Sequence, residues 1–150
     1  LITNGDIRIP QQLVVLAPEL ESHVAAFRDA VLNPEDDLGL PSALRWGVAA
    51  HIAGWLGDEE LAAMYRRVCS VSKDAGFIPE EFPKDLEEIL TAYAGKVTNA
   101  PRSISRGNID DLVQAGLNTP QVVALSELIA FVNFECRIRM GLGTMDTMHG

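Results

Sequence analysis

From Thr119-Pro120 to about Leu142 the chain contains no further proline, and apolar side chains recur at intervals of three and four residues. Val122, Leu125, Ile129, Val132, Cys136 and Met140 form one stripe, and Val123, Phe131, Phe134 and Ile138 form a neighbouring one. A helix apolar over more than half its circumference is not stable alone in water. It has to be wrapped by other helices or covered at a subunit interface, and either requirement limits the fold to a helical assembly.

The rest of the sequence keeps the same period, and no run shows the two-residue alternation of a half-buried strand. The expected fold is therefore all-α, a bundle of about six helices. The first should start near Pro18 and end before Asn33-Pro34; the second should run from Pro41 or Ser42 to Gly57, with Leu44, Val48, Ile52 and Trp55 as its apolar stripe. Asp58 is placed to cap a third helix, Glu59 to about Ser72, with Leu61, Met64, Tyr65 and Val68 inward and Arg66 and Arg67 outward. Residues 76–83 read as a connector, Lys84 to Ala94 as a fourth helix closed by Gly95, and 96–107 as the least patterned stretch. Asn108 is the expected cap of a short helix ending at Gly116, and Met145 to Gly150 carries no periodicity.

At 150 residues, 47% hydrophobic and 22% charged, the chain has the size and composition of one globular domain spanning 1–150. Its net charge of −9 has the wrong sign for phosphate backbones and anionic membranes, so no nucleic acid or membrane partner is expected. No run reaches the roughly 18 to 20 apolar residues of a membrane span. The opening Leu-Ile-Thr-Asn-Gly lacks the pattern of a secretion signal, which makes the cytoplasm the expected compartment. Cys69 and Cys136 belong to no CxxC or Cys/His ligand spacing. No metal site and no cofactor is expected, and both thiols read as small core residues.

Two ionisable groups fall on apolar stripes. Glu127 lies four residues from both Val123 and Phe131, which predicts a buried acid that is either catalytic, with raised proton affinity, or paired with Arg45 or Arg137. His51 lies between Val48 and Ile52 and is expected to be a buried imidazole, as an acid/base group of a pocket or as a satisfied core histidine. Asn133 and Arg137, one turn apart, could bind a carboxylate or tie helices together, and Trp55 could line the same pocket or the core.

The stretch Ile109-Asp-Asp-Leu-Val-Gln-Ala-Gly-Leu-Asn-Thr-Pro, followed by Phe131-Val-Asn-Phe-Glu-Cys-Arg137 and Gly141-Leu-Gly143, resembles the C-terminal half of alkylhydroperoxidase D-like proteins. The wider group is the carboxymuconolactone decarboxylase superfamily, and these motifs look like its peroxidase-related branch. Leu44-Arg-Trp-Gly-Val-Ala-Ala-His-Ile-Ala-Gly-Trp-Leu-Gly-Asp-Glu-Glu-Leu-Ala-Ala-Met-Tyr-Arg67 resembles the family's core helix pair. The resemblance implies homo-oligomers, and in active members a CxxC with a nearby His and an upstream Glu. Here the corresponding stretch, Ala53 to Met64, holds neither Cys nor His. The expected function is thus a non-redox enzyme or ligand-binding protein for a small carboxylate or lactone, using His51 and Glu127 with Asn133, Arg137 and Trp55. The alternatives are a non-catalytic oligomeric or interaction subunit and, third, a peroxidase working through a single cysteine.

Overall fold

The structure is a computed structural model that describes residues 19–71 and 82–149, with the side chains of 19–69 and 82–141. Among the described residues it is all-helical: α1 Leu20–Leu32, α2 Ser42–Trp55, α3 Glu59–Val71, α4 Leu86–Asn99, a 3-10 turn Pro101–Ser103, α5 Arg106–Gln114 and α6 Thr119–His149. The expected start at Pro18 and most of the 76–83 connector lie outside the described residues.

Local chemistry accounts for most boundaries. Gly57, at φ +85°, turns the chain between α2 and α3. Asp58 then caps α3 as expected, its Oδ1 accepting the Leu61 N–H at 3.1 Å while its carbonyl accepts that of Ala62 at 3.0 Å. Gly116, at φ 103°, ends α5. The start of α5 is shifted from expectation: Ser105 takes the cap, and Asn108 sits three residues inside, its Oδ1 accepting the Ser105 N–H at 2.8 Å.

Two stretches expected to be irregular are helical. Gly95 does not close α4, which continues to Asn99. A Cβ at Gly95 would lie 3.0 Å from the Trp55 ring, so the glycine is there to let α4 approach that indole. The backbone of α6 runs past Leu142 to His149, with no proline after Pro120 to remove a helical donor.

The helix enclosed most completely is α2, which touches α1, α3, α4 and α6 and buries Leu44, Val48, Ala49, Ile52 and Ala53. Its neighbour α6 supplies Leu125, Leu128, Ile129, Val132 and Cys136 to the same core, and turns Val123, Phe134 and Met140 outward. Between α1 and α2 the loop is clasped from inside. Buried Arg45 donates to the carbonyls of Leu40 at 2.8 Å, Val31 at 2.9 Å and Asp37 at 2.7 Å. From the other side Gln121 Nε2 donates to the carbonyl of Leu38, the residue at φ 57°, at 2.7 Å. No single helix among the described residues is long and apolar enough to cross a membrane.

Candidate functional site

Three polar side chains meet inside the bundle, each carried in by an apolar stripe. Arg28 follows Val24 by one turn on α1, Tyr65 follows Leu61 by one turn on α3, and Glu135 follows Val132 on α6. The Arg28 guanidinium donates to Glu135 from Nη2 at 2.5 Å and from Nε at 3.2 Å, both to Oε2. The Tyr65 hydroxyl donates to Glu135 Oε1. All three are buried, Arg28 and Glu135 at 1% exposure. Both oxygens of the carboxylate are therefore occupied by donors from two other helices, an arrangement that compensates a desolvated charge. Burial holds the Tyr65 phenol well above its ordinary range, and the adjacent Glu135 charge and hydrogen bond push it the same way. The phenol is a fixed donor, edge-on to Trp46 with ring centres 5.5 Å apart.

The thiol next along α6 is equally constrained. Burial, reinforced by Asp58 and Glu135, pushes Cys136 up to about 12. Half-buried Cys69 is also raised, by burial and then by Glu87, and its Sγ donates to the Ala43 carbonyl at 3.3 Å. One turn beyond Glu135, Arg139 Nε donates to Asp58 Oδ2 at 2.7 Å, tying α6 to the cap of α3. Burial alone would disfavour the Arg139 charge; the Asp58 hydrogen bond and charge outweigh it and raise the group.

The residues singled out from the sequence stand elsewhere. His51 is exposed rather than buried, its ring centre 6.0 Å from that of Trp55, which is 39% exposed. It belongs to the outward line Gly47–His51–Trp55 of α2, one helical turn between members. With Lys84, Asp85, Glu87 and Thr91 it lines an open depression of about 630 Å³. Glu127 is also exposed, on α6 and not among the residues of that depression. The expected pairing of a buried Glu127 with Arg45 is replaced by the three carbonyl bonds of Arg45, on which Glu127 acts through space, opposing the lowering that burial causes. Asn133 donates to the carbonyl of Ile129 at 2.9 Å, and Arg137 points to solvent. Between α2 and α6, the helices that carry His51 and Glu127, Leu44, Val48, Leu125 and Leu128 help line a cavity of about 10 Å³, at the lower limit for one water. Among the described residues no group of three His, Cys, Asp or Glu is arranged to hold a metal ion.

What the bundle does present is an aromatic ridge. Buried Phe131 lies 5.0 Å from Phe27 of α1 and 6.5 Å from Phe134, ring centre to ring centre, and those two rings are 49% and 43% exposed. Val123 is 50% exposed on the same helix.

No family model matches the chain, and no curated protein matches it. A solved structure does: an uncharacterized peroxidase-related protein from Silicibacter sp. TM1040, 15% identical, with a TM-score of 0.59 over 86% of this chain and 71% of that one. The two chains share one arrangement of helices. At that identity the likeness speaks for the arrangement of helices and not for chemistry.

The Arg28–Glu135–Tyr65 cluster is the feature that reading by period missed. Its signal was present, since Glu135 lies four residues from Phe131 and three from Val132, the same argument that was applied to Glu127. Arg28 likewise stands between Val24 and Val31 at helical spacing.

Proposed function

We propose that this chain is a one-domain member of the alkylhydroperoxidase D-like group whose work is assembly, carried out by the outer face of α6 and the adjoining edge of α1. The observation that carries this reading is the ridge of Phe27 and Phe134, two large rings left about half exposed around the buried Phe131. Covering the exposed half of each ring is worth about 1 kcal/mol, so the ridge favours a protein surface over water. The thiols support the same reading. A group held near 12, as Cys136 is, has almost no thiolate at neutral pH, and the thiolate is the peroxide-reactive form.

Analytical ultracentrifugation tests the proposal. The expected result is a dimer or larger species at micromolar concentration, reduced to monomer by Phe134→Asp with a melting temperature within a few degrees of wild type. A wild-type chain that sediments as monomer throughout would overturn it. A second reading, non-redox catalysis on a small carboxylate or lactone, is favoured by His51 and Lys84 sharing one depression. It requires chemical-shift changes at His51 when such a compound is titrated in.

A further inference from the structure

We propose that the partner on this face is a second copy of the same chain, packed with α6 antiparallel to α6 across a two-fold axis. The inference rests on the assembly reading above and specifies its partner and register. Among the exposed residues of α6, Val123, Glu127, Ala130, Phe134, Arg137 and Gly141 form one line, with successive steps of 4, 3, 4, 3 and 4. Their mean is the period of the α-helix itself, so the line stays on one face of α6 along its length. On a helix rising 1.5 Å per residue the line is about 27 Å long.

The line is complementary to itself in reverse. The pairs 127 with 137, 130 with 134, and 123 with 141 are all centred on position 132. A two-fold axis there sets Glu127 of each protomer against Arg137 of the other, so the interface holds two ion pairs of the same kind. It also sets Phe134 over Ala130 and Val123 over Gly141, a large side chain against a small one in each case. Parallel pairing would set Glu127 on Glu127, Arg137 on Arg137 and Phe134 on Phe134. Charge and size thus select the antiparallel arrangement. Phe27, held beside the line by Phe131, extends the apolar surface next to the centre of the line.

Charge exchange tests the register. Glu127→Arg sets Arg against Arg twice in its own dimer, and Arg137→Glu sets Glu against Glu twice. Each variant alone should dimerise more weakly by roughly tenfold or more. Mixed with one another they should form a heterodimer, because every facing pair is then Arg with Glu. Native mass spectrometry separates that heterodimer from the two homodimers by mass. Both residues are exposed, so melting curves should match wild type and confirm folding. Unchanged dimerisation by each variant, or weakening without recovery on mixing, would overturn the register while leaving assembly through another arrangement intact. A monomeric wild type at about 100 µM, weaker than a typical specific dimer, would overturn both readings.

Discussion

Glu127 and Glu135 lie on one helix, and one faces water while the other is enclosed with Arg28 and Tyr65. The difference is made by the neighbours. Glu135 faces α1 and α3, whose own stripes bring a guanidinium and a phenol to meet it, whereas Val123, one turn before Glu127, is itself exposed. The cluster can be tested as a unit. Arg28→Met leaves the buried carboxylate without its guanidinium and should cost about 3–5 kcal/mol. Arg28→Met with Glu135→Leu removes both charges and should recover most of that loss, as read from denaturant midpoints in a double-mutant cycle. Additive losses would show that the two side chains do not act on one another. Apolar spacing is compatible with Arg28 and Glu135 inside, but it is equally compatible with a buried Glu127, which is exposed. Nor could it reveal that Arg28 and Glu135 meet, because that contact joins the first and last described helices and depends on how they pack.

At the scale of the helices, most boundaries were legible because they rest on local chemistry: Asp58 as a cap, Gly57 and Gly116 as turns, Thr119-Pro120 as a start. Gly95 was misread for the opposite reason. Its role is set by Trp55, on another helix, and glycine reads as a terminator unless that contact is known. Gly95→Ala should therefore lower stability by about 1 kcal/mol, the clash with the indole outweighing the helix propensity gained. In a Trp55→Leu background the same substitution should raise stability by up to about 1 kcal/mol. Stabilisation by Gly95→Ala in wild type would remove the contact as the reason for the glycine. The faces of α6 were less legible than its extent. A helix apolar most of the way round does not declare its inner side, and α1, α2 and α4 choose it by contact. On α2 the outward line was marked by Gly47 and Gly54 beside His51, a cue that the apolar neighbours Val48 and Ile52 obscured.

At the scale of the molecule, several reactive residue types of the bundle stand in structural positions. Cys136 is packed in the core, Glu135 and Tyr65 bridge helices, and Arg139 fastens α6 to the cap of α3. Among the groups presented to solvent are the aromatic ridge with the charges that flank it and, on α2, His51 and Trp55. The measurement that bears most directly on this division is hydroperoxide consumption at pH 7 with a dithiol reductant, on wild type and on the Cys69→Ser, Cys136→Ser variant. With Cys136 held up near 12 and Cys69 raised as well, both proteins should consume peroxide no faster than the reductant alone. Turnover by wild type that disappears in the variant would contradict the account, because it would place a working thiolate at Cys136 or Cys69, where burial favours the protonated thiol.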